Sequence, residues 1–343
     1  MTHALLERDS KRDLLQVFLA VALGLALLGT FLLLAGFRVA PAINALWQGS
    51  FGSWYAFTSA TLVHSTPLIV LGLAFTVGSK AGAINVGMEG QFAAGAIAAT
   101  WVGLHVAGLP AVFAIALVLG AGLIGGAAWI AVPVILRARF GITEVISTLL
   151  LNFVAAAAVS YAVTGPLQES GRNYPQSDAI AVAARLPQLG HGSRLHLGFV
   201  LAIGMTAMLA VTFRRTRWGF ALRAAGAGPR AAALMGRVPL NRITGGALLW
   251  SGGLAGLGGA IEVSGVSYAL YQNLSPGYGF TAIAVALLGR LRPIPVLVAG
   301  ILFGALEAGA GAMQRDAGIP AVAVQVVEAV VIITALLTAR GQE

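Results

Sequence analysis

The chain has 343 residues, of which 58% are hydrophobic and only 10% charged, with a mean hydropathy of +0.87; this composition excludes a soluble globular domain and requires an integral membrane protein. Its 21 basic and 12 acidic residues give a formal charge of +9, an excess that in a polytopic chain fixes topology through cytoplasmic loops, and no soluble stretch is long enough to fold a nucleic-acid-binding face. There is no cysteine, hence no disulfide framework, thiolate zinc site or iron-sulfur cluster, and the two lysines, Lys11 and Lys80, precede Arg12 and Ala81, so no Gly-Lys-Ser/Thr phosphate loop exists.

The first predicted span runs from Leu14 to Phe37, free of charge and about 36 Å long as a helix, enough for a hydrocarbon core of about 30 Å. Its apolar run exceeds that of a cleaved signal peptide, so it is expected to stay in the mature chain. Further apolar stretches lie near 56–79, 87–107, 110–136, 143–164, 196–213, 243–264, 278–290, 294–312 and 319–339. The expectation is an all-α polytopic protein of about ten transmembrane helices, folded as one transmembrane domain over 1–343. With both termini in the cytoplasm, Arg38, Arg172, Arg185, Arg194 and Arg315 fall outside and every other basic residue inside, as the positive-inside rule requires. Glycine, 45 residues, supplies the small side chains that let membrane helices approach closely.

Two segments are defective as simple spans. Gly82-Ala-Ile-Asn-Val-Gly-Met-Glu-Gly-Gln91 precedes one small-residue helix, and Ser275-Pro-Gly-Tyr-Gly279 precedes only about a dozen apolar residues. Broken or short helices are therefore expected near 82–91 and 275–290, because irregular backbone at membrane depth survives only where protein or a water-filled cavity satisfies it. Paired interruptions in the two halves of a membrane protein mark a transport site. Each break is followed by an Ala-Ile-Ala tripeptide, Ala96 to Ala98 and Ala282 to Ala284, in opposite predicted directions. An inverted repeat and coincidence both account for so few shared residues.

The external loop 165–195 carries three prolines and mixed charge and reads as an ordered segment, either a docking surface or a plain connector. The internal loop 214–242 holds seven arginines and no acid. Within it, Pro229 opens and Gly236 closes a short predicted helix, and Pro239 starts the next span. The loop is either a handle for a partner or a device that only fixes topology.

The string Lys80-Ala-Gly-Ala-Ile-Asn-Val-Gly-Met-Glu-Gly-Gln91 resembles the Phe-Asn-Ile-Gly-Ala-Glu-Gly-Gln signature of ABC importer permeases of the ribose, branched-chain amino acid and nucleoside group. Thr143 to Asn152, Arg223 to Gly236 and Ser275 to Gly289 agree in order and spacing, so the resemblance covers about 55–339. The Glu-Gly-Gln and Pro-Gly-Tyr-Gly-Phe elements are most similar to nucleoside permeases that work with a basic-membrane-protein type binding lipoprotein. Val86 and Met88 depart from the family pattern.

The resemblance implies a permease subunit that imports nucleosides or related sugars across the bacterial inner membrane, catalyses no covalent chemistry, and holds no cofactor or metal. ATP and magnesium would sit on a cytoplasmic ABC ATPase. The other implied partners are a second homologous permease or a self-copy, and an extracytoplasmic binding lipoprotein or periplasmic binding protein. Arg223, Gly226, Pro229, Arg230, Ala231, Ala232, Leu234 and Gly236 would form the coupling helix. Free sugar, amino acid or flavin-like cargo stay open as alternatives, as does an ion-coupled secondary transporter, which also uses broken helices. A membrane enzyme would need clustered acids, histidines or an activated nucleophile, and none is evident.

Glu89, a costly carboxylate inside the membrane, either caps the broken helix or lines the route. Asn85 and Gln91 either satisfy freed backbone groups or bind ribose hydroxyls. Asn152 either bonds two helices together or faces the pore. Tyr278 and Phe280, inside the second break, are the route-lining aromatics, whereas the remaining tryptophans and tyrosines belong to an interfacial belt. Thr143 and Glu144 are expected to cap a helix start. Glu262, Glu307 and Glu328 are protonated, paired or wet, with Arg315 a conceivable partner for Glu307. His64 reads as a helix-to-helix hydrogen bond.

Overall fold

The computed structural model describes residues 26–27, 29–34, 36–190, 192–228 and 240–320. Most of the first expected span and nearly all of 319–339, with Glu328, lie outside the described residues, as do Pro229, Arg230, Ala231, Ala232, Leu234 and Gly236. The principal helices are α1 (Val39–Ser50), α2 (Trp54–Lys80), α3 (Met88–His105), α4 (Ala111–Phe140), α5 (Glu144–Thr164), α6 (Leu197–Arg215), α7 (Arg217–Ala227), α8 (Leu240–Ser267), α9 (Tyr278–Leu288) and α10 (Pro293–Ala317). Among the described residues there is no strand, only two isolated bridges.

Among the described residues six helices are long and apolar enough to cross a bilayer: α2, α4, α5, α6, α8 and α10. Helix α3 has 18 residues but carries Glu89 and Gln91 in its first turn and His105 in its last. Helix α9 has only 11 residues, about 17 Å, or half a hydrocarbon core. Helix α1 was not anticipated by the hydropathy pattern; it turns Ala42, Ala45 and Ser50 inward while Trp47 stays exposed.

Burial separates the helices into two populations. The most apolar window of α2 is 89% buried and that of α8 78%, against 22% for α4. In lipid an apolar surface is no reason for burial, and α4, the most apolar of these helices, faces outward; α2 and the glycine-rich α8 form the middle, where small residues permit close packing. Helix α2 is flanked by α8, α9 and α10; α8 is packed against α3 and α4.

The α3, α4 and α8 contacts are made main chain to main chain. A methyl group at Gly126 would strike the Gly252 carbonyl and the Gly256 backbone, one at Gly95 would overlap Gly256, and one at Gly259 would strike the Phe92 carbonyl. Glycine at these positions removes the spacing that side chains impose, so dispersion contacts between backbones replace those of larger residues. Both α2 and α8 also contain a π-helical turn at the same end of the bundle, Phe57–Thr61 and Val263–Ser267.

At that end the loop 165–195, irregular apart from one 3₁₀ turn at Val182–Ala184, is sewn to the segment after α8. The Ser177 amide donates to the Leu270 carbonyl (2.9 Å), Ile180 to Tyr268 (2.8 Å), and Leu186 to Ser264 (2.8 Å). The Arg185 guanidinium lies 4.7 Å from the Tyr268 ring centroid, a cation–π contact over a residue held at φ +57°.

Replacing Gly256 by Val is expected to cost about 1–3 kcal/mol or more through overpacking, seen as a lower thermal-inactivation midpoint in detergent. Gly204→Ala, on α6 with open space around its α-carbon, is the control and is expected to leave the midpoint unchanged or slightly higher.

Candidate functional site

The first break begins where α2 ends. The Gly82 and Ala83 amides donate back to Ser79 and Gly78 carbonyls, Gly82 adopts φ +74°, and residues 83–87 run without helix until α3 starts at Met88. Such a stretch frees backbone groups that water cannot reach in a bilayer. Three buried amide side chains take up that demand. The Asn85 side-chain carbonyl accepts from the Gly87 amide (3.0 Å) and from Gln91 Nε2 (2.9 Å), while Asn85 Nδ2 donates to Gln91 Oε1 (2.8 Å) and to Ser251 Oγ on α8 (2.9 Å). Asn152 of α5 accepts from the Gly90 amide (2.8 Å) and donates to the Val86 carbonyl (3.0 Å). Asn85 is completely buried and Gln91 nearly so.

The rim of this break is tied down by charge. Glu144 pairs with Arg137 at 2.9 Å and accepts, at 3.4 Å, from the Ile84 amide. The expectation that Thr143 caps α5 does not hold, because its side chain makes no cap hydrogen bond. Its carbonyl instead accepts from Ser147.

The second break presents another helix start. Ser275 Oγ accepts from the amides of Gly277 (3.1 Å) and Tyr278 (3.0 Å), and Gly277 sits at φ +107°, a conformation glycine alone adopts at no steric cost. The Gly279 amide, in the first turn of α9, then donates to Glu89 Oε2 at 2.7 Å. Any side chain at Gly279 would collide with the Glu89 main chain.

One carboxylate thus lies in the first turn of α3 and accepts from the first turn of α9, at the positive ends of two helices. Tyr278 packs edge-on against Phe92 with ring centroids 6.2 Å apart, and its hydroxyl lies 3.3 Å from His64 Nδ1 on α2. Glu89, Glu262 and Glu307 all act electrostatically on Tyr278.

The candidates therefore divide. Asn85, Gln91 and Asn152 are joined in one hydrogen-bonded net around the first break, and Glu89 and Tyr278 meet where the two breaks touch. Phe280 is 47% exposed and takes part in none of these contacts. Glu307 makes no ion pair with Arg315 among the described residues, since eight residues along a helix are about 12 Å. His64, Ser251 and Ser275 join the site without having been assigned to it. The sequence signal for Ser275 was its place before Pro276 and Gly277; Ser251 gave none.

The opposite end of α2 carries the arginine-rich feature. Arg223, on α7, and Arg292, after α9, both act on Lys80. A methyl group at Gly226 would press on the Lys80 carbonyl and the Gly82 amide, so α7 rests directly on the start of the first break. Leu222 and Ala225 are buried while Arg223 is exposed.

Outside the spans, three groups have perturbed acidity. Hydrogen bonds from Gln176, Tyr174 and Asn173 hold the Glu169 carboxyl below its ordinary value, and Ser170 does the same for Asp178. His196, immediately before α6, is lowered to about 4 by burial, and its Nδ1 accepts from the Gly198 amide (3.2 Å).

Residues 55–336 match the family described as branched-chain amino acid transport system, permease component. The chain is 36% identical to the guanosine ABC transporter permease protein of Bacillus subtilis over 93% of its own length and 92% of the relative's. It is 35% identical to the glucose ABC transporter permease protein of Haloferax volcanii, covering 92% and 85% of the two chains. With the nucleoside ABC transporter permease protein of Lactococcus lactis the identity is 33%, over 94% and 91%.

Asn85→Ala leaves the Gln91 amide and the Gly87 N–H without their partner and is expected to destabilise the protein by about 1–3 kcal/mol, read as thermal inactivation, whereas Phe280→Ala changes stability little. A second expectation concerns acid. His196 binds its proton less readily folded than unfolded, so the stability it contributes is full above about pH 6.5 and is lost as pH falls towards about 4. Limited proteolysis of loop 165–195 should accelerate across that window, and His196→Asn, which can still accept from Gly198, should flatten the response there.

Proposed function

The chain belongs to the permease component family of branched-chain amino acid transport systems, and from that we propose that it is the membrane subunit of an ATP-driven importer whose cargo is a nucleoside or a related sugar. The cargo assignment rests on relatives that carry the names of guanosine, nucleoside and glucose transporters. On this reading the partners are a cytoplasmic ABC ATPase that binds ATP and magnesium, a second homologous permease or a self-copy, and an extracytoplasmic binding protein or lipoprotein. The chain itself carries out transport and no covalent chemistry.

The topology that fits this role has ten spans. Six are the long apolar helices, α3 and α9 are two more, and the apolar stretches 14–37 and 319–339 complete the set. Both termini, α7 and the Lys80 end of α2 are then cytoplasmic, and loop 165–195 faces the binding protein.

One observation carries the mechanism: Gly226 sits on Lys80 and Gly82, so the arginine-rich loop bears on the same seven-residue break that leads to Glu89. A motor gripping 223–236 moves α7, α7 moves the break, and the break shifts the α3 start against the α9 start, opening the route on one side or the other. The ATPase supplies work only through its differential affinity for the two arrangements. Neutral cargo needs no counter-charge from Glu89, which is free to serve as the joint.

In proteoliposomes containing the assembled transporter, uptake of labelled guanosine is expected to require ATP and the ATPase and to survive an ionophore. Uptake that collapses with the ion gradient and persists without the ATPase would instead establish secondary transport. Arg223→Glu is expected to lower uptake at least about tenfold, a coupling loss of about 1.4 kcal/mol or more, while leaving the thermal midpoint of the permease unchanged.

A further inference from the structure

Where loop 165–195 lies across the segment that links α8 to α9, a cleft of about 470 Å³ opens, with Tyr174, Gln176, Glu262, Tyr271 and Asn273 among its walls. Glu262 forms part of that lining although its residue surface is 93% buried, being 7% exposed. Its backbone carbonyl accepts from Ser267, but its carboxyl group accepts no hydrogen bond among the described residues, and no cation forms an ion pair with it there. The residue sits one position before the π-helical turn Val263–Ser267.

A carboxyl group in this position is largely withdrawn from water and accepts no hydrogen bond among the described residues, with Arg194 acting on it only electrostatically, so a ligand that supplies donors there is favoured. The walls show which ligand. Two tyrosines, one from the loop and one from the linking segment, give planar apolar faces at the mouth. Asn273 and the side-chain carbonyl oxygen of Gln176, which has no partner among the described residues while its Nε2 donates to Glu169, add hydrogen-bonding capacity beside them.

We propose that this cleft is a substrate-receiving site in which Glu262 binds the vicinal diol of a sugar ring, with Tyr174 and Tyr271 flanking the ring or its attached base. Two adjacent hydroxyls present two O–H donors to the two oxygens of one carboxyl group, the pairing that satisfies it most completely. The diol is also the group that nucleosides and hexoses share. Glu262 and Tyr278 act on each other electrostatically.

This assignment rests on the importer reading and extends it to a selectivity that belongs to the permease rather than to the binding protein. The test is ligand binding by the purified permease and ATPase assembly in nanodiscs, without the binding protein, using inosine and 2′,3′-dideoxyinosine, which lacks both hydroxyls. The wild type is expected to bind inosine at least about tenfold more tightly, the worth of two ordinary hydrogen bonds. Glu262→Gln should erase that preference, and Tyr271→Ala, at the exposed rim, should weaken both ligands by a similar factor while keeping it.

Equal binding of the two ligands by the wild type, or an undiminished preference in Glu262→Gln, overturns the assignment. Uptake by the complete transporter separates the two levels. ATP-driven import of inosine without any diol preference in the permease sinks the cleft alone, whereas no import of nucleoside or glucose overturns the importer reading and this site with it.

Discussion

A helix that starts inside a bilayer exposes amide groups that lipid cannot satisfy, and this chain starts two. The hydrogen bond from Gly279 to Glu89 ties the two starts together: the carboxyl group stands in the first turn of α3 and accepts from the first turn of α9, where the two helix dipoles are positive, while the freed amides at the α3 start go to Asn85 and Asn152. The surrounding structure serves that contact. Asn85, Gln91 and Asn152 hold the loop that delivers Glu89, Ser275 and Gly277 shape the turn that delivers Gly279, and the absence of a side chain at Gly279 lets the two backbones meet. Removing the Glu89 side chain would leave the Gly279 amide without its acceptor.

The remaining architecture follows from how tightly that joint must be held. The three helices α3, α4 and α8 approach until their main chains touch at Gly95, Gly126, Gly252 and Gly256, leaving few voids and little tolerance for deformation. Two interrupted segments, 81–87 and 268–277, border these helices. One of them carries α7 at its Lys80 edge, and the segment between α8 and α9 carries loop 165–195 at the other end of the bundle. A permease driven from inside and loaded from outside needs such a pair of contacts, and each lands on a different break.

Much of this was legible before any coordinates. The apolar stretches at 110–136, 143–164 and 196–213 agree with α4, α5 and α6 to within a few residues, because lipid-facing helices are written in hydropathy alone. The two breaks were legible for the opposite reason: glycine, proline and a carboxylate in apolar surroundings contradict a simple span. Their mutual contact was not, since a bond between positions 89 and 279 leaves no local periodicity. Helix α1 is hidden because twelve residues of mixed character carry no span signal, and Thr143 stands at the start of α5 with extended backbone but without a capping side-chain bond, which residue type alone does not reveal. In the sequence Glu262 is one of three acids in later spans that are protonated, paired or wet, and only the fold of loop 165–195 shows the cleft on which it opens.

The most direct measurement of the joint is amide hydrogen exchange in the assembled transporter, compared between the wild type and Glu89→Ala. If one carboxylate secures both helix starts, removing it accelerates exchange in 276–284 as well as in 87–92 and leaves α4 as protected as before. Unchanged protection at 276–284, or acceleration spread evenly through the bundle, would show that the two broken helices are held by something other than Glu89.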